Sequence, residues 1–196
     1  MKNTHRPDLF MWSRFDEARN VDFNALAWIR EGGNVLVDPL PMSDHDRAHL
    51  ESLGGAKHIV VTNSDHLRDA VALAERFGAE LAGPAQEPDL PVERRLAEGD
   101  EVVPGLKVFE LDGSKTPGEL ALLLEERTLV TGDLIRAHRG GELMILPPDK
   151  LADRDAARKS VRRMAALVGL EAVLVGDGWP VFTGGGLALA SLAAML

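Results

Sequence analysis

Short apolar runs, each closed by glycine, proline or a charged turn, alternate along this chain with stretches of helical periodicity. Phe23 to Ile29 and Asn34 to Val37 read as two strands joined by the turn Arg30-Glu31-Gly32-Gly33, and Asp38-Pro39 ends the second. Ser43-Asp44-His45-Asp46 can cap a short helix running to Leu53, which Gly54-Gly55 stops. Lys57 to Thr62 is a buried-type strand built on Ile59, Val60 and Val61. From Asp65 to Phe77 the apolar positions Leu67, Val71, Leu73, Ala74 and Phe77 predict a helix that Gly78 terminates.

Leu81 to Gly83 forms a short strand before the proline-rich loop Pro84 to Pro91. Strand patterns follow at Glu101 to Val103, Leu106 to Leu111, Leu120 to Leu124 and Thr128 to Val130. Pro104-Gly105 and Glu125-Glu126-Arg127 make the turns between neighbours. Gly140-Gly141 supplies a flexible point in the loop Ala137 to Pro148. Asp153 to Leu167 is an amphipathic helix with Arg158, Lys159, Arg162 and Arg163 facing out, and Ala172 to Val175 is a last buried strand. A short helix starts at about Leu187. Strands, β/α alternation, a strand-rich middle and a final helix–strand pair fit one α/β domain over residues 1–196, with two sheets flanked by helices.

Composition narrows the chemistry. At 196 residues and 45% hydrophobic, the chain has enough apolar material for a sizeable core. A formal charge of -9 argues against nucleic acid or an anionic membrane surface as a partner. No cysteine is present, so any metal must be held by nitrogen and oxygen. The polar N-terminus lacks the apolar stretch of a secretion signal, and Gly184-Gly185-Gly186 interrupts the uncharged C-terminal run before it reaches a membrane-spanning length. A soluble cytoplasmic protein is therefore expected. There is no phosphate-binding glycine loop with Lys-Ser/Thr and no serine-hydrolase elbow.

Four segments place polar side chains just past strand ends. They are Thr62-Asn63-Ser64-Asp65-His66, Gly113-Ser114-Lys115-Thr116-Pro117-Gly118, Thr131-Gly132-Asp133 and Gly176-Asp177-Gly178. In open α/β architectures such loops converge on a ligand or a metal. Each residue also has a plainer role. Asp65 or Ser64 can cap the following helix, with His66 a hydrogen-bonded surface residue in its first turn. Lys115 can be a solvated turn residue, Asp177 a turn aspartate bonding its own backbone, and Asp133 a cap. His5, His45, His49, His58 and His138 fall in no motif and read as structural or exposed.

Taken in order, these segments resemble the metallo-β-lactamase superfamily over most of the chain. Asn34 to Pro39 is similar to the family's early strand ending in Asp-Pro or Asp-Thr, and Ile59 to Thr62 to the strand before His-x-His-x-Asp-His. Thr116-Pro117-Gly118 is similar to the end of its Pro-Gly-His-Thr-Pro-Gly loop. Leu129 to Asp133 is similar to the strand that ends in the metal-bridging aspartate, and Val173 to Gly178 to the last strand before Gly-His-Gly. The resemblance implies a four-layer αβ/βα sandwich and metal-dependent hydrolysis, in which one or two metals make hydroxide from bound water.

The chain departs from that pattern at the ligands. Lys115 and Asp177 stand where the third and last loops supply histidines, and only Asp133 is carried over unchanged. The first motif admits two registers. With Asp65-His66 on the motif's Asp-His, Asn63 and Val61 take the places of histidines; with Thr62 as the anchor, Asn63 and Asp65 do so, and Leu67 and Arg68 fall on Asp-His. A protonated lysine has no lone pair for a metal, and acidic neighbours keep it protonated. Asp65, His66, Asp133 and Asp177 could still hold one divalent ion, with manganese, iron or magnesium favoured over zinc.

Two functions follow. The first is a hydrolase-like protein with a degenerate site holding at most one metal ion, or none, in which Asp65, His66 and Lys115 act on a small-molecule substrate. The second is a non-catalytic descendant that uses the former cleft for binding or assembly, with a Lys115–Asp133–Asp177 network replacing metal. A homodimer is compatible with either, and no loop carries a substrate signature. Arg136 and Arg139, just after Asp133, could meet an anionic group.

Overall fold

Alternate residues of most strands point into different cores, so the period-two pattern builds a layered molecule. A computed structural model describes residues 1–196. The first sheet runs in sequence order through β1 (Lys2–Asn3), β2 (Leu9–Asp16), β3 (Val21–Trp28), β4 (Val35–Val37), β5 (His58–Val60), β6 (Glu80–Pro84) and β7 (Arg94–Leu96). It is antiparallel as far as β4 and parallel from there on. The second sheet has the order β13-β10-β9-β8, from β8 (Leu106–Leu111), β9 (Glu119–Leu124), β10 (Thr128–Thr131) and β13 (Ala172–Val175). A separate hairpin joins β11 (Ile135–Arg139) to β12 (Glu142–Ile145).

The two sheets face each other across one core. Leu26 and Trp28 of β3, Val35 and Val37 of β4 and Val60 of β5 meet Leu120, Leu122 and Leu124 of β9 and Leu174 of β13. Their neighbours in sequence point outward. Leu36, Ile59 and Val61 pack with Leu50 of α1 (Asp44–Ser52) and Leu73 of α2 (Ala70–Phe77). Leu129, Val173 and Val175 pack with Val161 and Met164 of α3 (Arg154–Ala165) and Leu189 of α4 (Gly185–Ala194). The layers are helix, sheet, sheet, helix: the expected αβ/βα sandwich. Each fully buried leucine contributes about 2 kcal/mol by apolar transfer, which is why an interrupted pattern still specifies the layers.

Capping follows the predicted chemistry for α1, and Asp153, expected inside the last long helix, caps α3 instead. The Asp46 amide donates to Ser43 Oγ at 3.1 Å, and the Asp155 and Ala156 amides donate to Asp153 Oδ1 at 2.9 and 3.0 Å. The helix expected from Asp65 to Phe77 is split. A 3₁₀ turn spans Ser64–His66, Arg68 adopts a left-handed φ of 38°, and α2 begins at Ala70 after Asp69. Neither Asp65 nor Ser64 caps α2; Asn63 caps the 3₁₀ turn through its side chain, which accepts from the His66 amide. Glu101 to Val103 forms only a bridge at Glu101, and the loop expected from Ala137 to Pro148 contains most of the β11–β12 hairpin. Strands β1, β2 and β7 also lie outside the predicted set.

Hydrogen bonds stitch the sheets together along one edge. The Asn24 amide donates to Gly176 O at 2.8 Å, its side-chain amide donates to Val175 O and Gly178 O, and the Leu120 amide donates to Thr62 O at 2.8 Å. These bonds tie β3 to the loop after β13 and β9 to the loop after β5.

Candidate functional site

At that edge Asp38 follows β4, Thr62 to His66 follow β5, Lys115 lies between β8 and β9, Asp133 follows β10 and Asp177 follows β13. All four loops singled out by the sequence meet in one cleft. Asp65, His66, Lys115, Asp133 and Asp177 line it together, with Arg19, Phe23, Leu40, Arg68, Arg136 and Lys150, around a volume of about 360 Å³.

His66 is buried at its centre, not exposed in a helix turn. Its Nδ1 lies 2.7 Å from Asp38 Oδ2 and 3.1 Å from Thr62 Oγ1. The Thr62 hydroxyl and amide each donate to Asp38, at 2.7 Å. A carboxylate that only accepts requires the imidazole hydrogen on Nδ1, which leaves Nε2 facing Asp133 Oδ2 and Asp177 Oδ1, at 3.8 Å from each. Burial opposes the imidazolium, and Arg68 adds to that opposition. The Asp38 charge and hydrogen bond, helped by Asp133, outweigh both, and His66 holds its proton above its ordinary pKa. Gly176 makes room for the ring: a Cβ there would stand 2.7 Å from His66 Cε1.

Lys115 bridges two carboxylates. Its Nζ lies 2.5 Å from Asp65 Oδ2 and 2.9 Å from Asp133 Oδ2. Partial burial alone would lower its pKa, but the bonds and charges of Asp65 and Asp133 raise it, so it stands as a firm cation. The Asn63 amide also donates to Asp133 Oδ2, at 3.2 Å. Asp133 is buried, which favours its neutral form, yet His66, Lys115 and Arg136 prevail and hold it below the usual carboxylate range.

Asp177 pairs with Arg136 through Oδ2, and Arg68 Nη2 lies 3.6 Å from its Oδ1. That Oδ1 is buried without a hydrogen-bond partner, as is Arg136 Nε. Behind the loops, Glu119 is fully buried, accepting from the Leu134 amide at 2.8 Å and from Ser114 Oγ. Burial and the charge of Asp133 push its pKa up to about 7. Gly132 lets this packing close, because a Cβ there would lie 2.7 Å from Thr62 Oγ1 and 3.0 Å from Glu119 Oε1.

The expected residues do converge, with different partners. Lys115 bonds Asp65 and Asp133 and makes no ion pair with Asp177, whose cations are Arg136 and Arg68. Asp177 does not behave as a turn aspartate, and Arg136 is buried. Asp65 reaches Asp133 through the shared Lys115 ammonium. Only His66, Asp133 and Asp177 offer ligand atoms within 4.8 Å of one another. Their donors and the unpartnered Asp177 Oδ1 fit one ion. Sequence reasoning passed over Asp38, Arg68 and Glu119 as site residues. Asp38 was visible as the Asp-Pro end of its strand, and Arg68 only through the Thr62-anchored register.

Similarity to solved structures extends over nearly the whole chain. The DIM-1 metallo-β-lactamase matches with a TM-score of 0.75 at 19% identity, covering 97% of this chain and 94% of that one. The metallo-β-lactamase from Erythrobacter litoralis matches at 0.72 and 16%, covering 97% and 90%. TTHA1623 in a di-iron-bound form matches at 0.72 and 23%, covering 94% and 100%. No curated protein matches the sequence. A family model described as the metallo-β-lactamase superfamily matches residues 1–196, and the chain belongs to that superfamily.

Proposed function

We propose that this is a hydrolase-like protein whose cleft binds a small molecule and neutralises its own carboxylates with protein cations instead of metal. The observation that carries this reading is the Lys115 ammonium, 2.5 Å from Asp65 and 2.9 Å from Asp133. Four carboxylates surround the centre: Asp38, Asp65, Asp133 and Asp177. Lys115, Arg68 and Arg136 supply three permanent charges against them, and His66 supplies a fourth as it takes up a proton. A divalent ion would compete with that proton and face three adjacent cations. Asn63 on Asp133, Asp65 on Lys115 and Arg68 on Asp177 support the Thr62-anchored register, in which an amide, a carboxylate and a cation stand in the places of ligand histidines.

The unpartnered Asp177 Oδ1 favours a second reading, in which His66, Asp133 and Asp177 hold one ion. When bound, such an ion would acidify a water for hydrolysis. Elemental analysis of protein purified without chelator separates the two readings. Substoichiometric metal is expected. One equivalent of manganese, iron or zinc that survives dialysis and disappears in Asp133→Ala would overturn the metal-free reading.

A further inference from the structure

We propose that the cleft binds the anionic group, phosphate or carboxylate, of a small polar molecule through Arg68 and Arg136 inside and Arg19 and Lys150 at the rim. This rests on the metal-free reading of the same cleft. Five cations line it against three carboxylates, in a protein whose formal charge is -9. Lys115 pairs with Asp65 and Asp133, and Arg136 with Asp177 through Oδ2, while Asp177 Oδ1 has no hydrogen-bond partner. Arg19 is 70% exposed, with its nearest carboxylate, Asp16, at 3.9 Å, and Lys150 is exposed and outside every ion pair. Positive charge concentrated in a concave surface of an acidic protein draws small anions to that surface.

Two observations point to a ligand independently of charge. Arg136 is 7% exposed, yet its Nε–H has no acceptor, whereas buried donors are ordinarily paired. Arg68 is held in a left-handed conformation that costs about 1 kcal/mol in a non-glycine residue. Its Nη1 donates to Asn24 O at 3.0 Å and Asp38 O at 3.3 Å, and its guanidinium lies 5.3 Å from the centre of the Phe23 ring. Arg19 lies 5.5 Å from the same ring. The backbone is bent to present one arginine that is fixed before anything binds, and preorganised guanidinium groups suit phosphate and carboxylate. Only two lining residues are hydrophobic, which excludes an apolar ligand, and a volume of about 360 Å³ admits a small molecule.

The test is titration calorimetry on chelator-treated protein with inorganic phosphate, succinate and uncharged glycerol, with metal content measured on the same sample. One-to-one binding of phosphate or succinate is expected, with none for glycerol; which anion binds more tightly identifies the group. Combined Arg19→Gln and Lys150→Gln should weaken it about tenfold, and added salt should weaken it further. Both side chains are exposed, so folding is not at risk, and Arg68→Gln gives a second variant from inside the cleft. The inference is overturned if metal-free protein binds neither anion, or if all three substitutions leave the affinity unchanged. Protein that retains stoichiometric metal, yet loses affinity in the double variant, refutes the metal-free reading alone.

Discussion

Asp38 Oδ2 sits 2.7 Å from Nδ1 of His66, with both side chains buried. This contact sets the tautomer of the central histidine and most of its charge. Asp38→Asn keeps the shape and removes the charge that raises the His66 pKa. Because that pKa is raised on folding, its stabilisation is fully present below the unfolded value of about 6.5 and is lost as pH rises through the folded value. Asp38→Asn should therefore lower the His66 pKa, read by NMR titration of its ring. It should also destabilise the protein by about 3 kcal/mol at pH 5–6, as breaking a buried pair does. An unchanged titration would show that Asp38 does not control His66.

Glu119 adds a pH dependence of the same sign from a different group. Its carboxyl is pushed up to about 7, so the native state binds its proton more tightly than the unfolded chain. Stability from this site is greatest below the unfolded value of about 4.5 and falls as pH rises toward 7. Two and a half pH units correspond to about 3 kcal/mol, an order of magnitude for a group packed against Asp133. Glu119→Gln can still accept from the Leu134 amide through its amide oxygen. The expected outcome is a flatter denaturant-stability profile between pH 5 and 8 and equal or greater stability at pH 8. A profile as steep as that of the parent would place the slope elsewhere.

The layers were legible because buried strands carry apolar side chains on both faces and helices carry them on one. Leu106 to Leu111 and Ala172 to Val175 appear at their predicted bounds. The misses have physical causes. Strand β11 contains Arg136, His138 and Arg139, and Arg136 reads as a surface residue because its partner Asp177 is 41 positions away. The break at Arg68 has no periodic signature, since it goes with tertiary bonds from the Arg68 guanidinium to Asn24 O and Asp38 O. Convergence of the four loops was foreseen from polar residues at strand ends. The pairing inside the cleft was not, because it depends on which cation reaches which carboxylate.

Lys115 offers the most direct test of the metal-free reading proposed for the cleft. Its ammonium lowers the pKa of Asp133, and that lowering contributes stability above the unfolded value of about 3.9, lost as pH falls through the folded value. Lys115→Ala should raise the Asp133 pKa, move acid unfolding to higher pH and cost about 1 kcal/mol at neutral pH, the side chain being 30% exposed. Lys115→His should do something else: it exchanges three donors for a lone pair beside Asp65 and Asp133. Metal content measured after dialysis against manganese or zinc should rise above that of the parent in the histidine variant. Lys115→Ala supplies no donor and should gain less. If the histidine variant takes up no more metal than the parent, the ammonium is not what keeps an ion out.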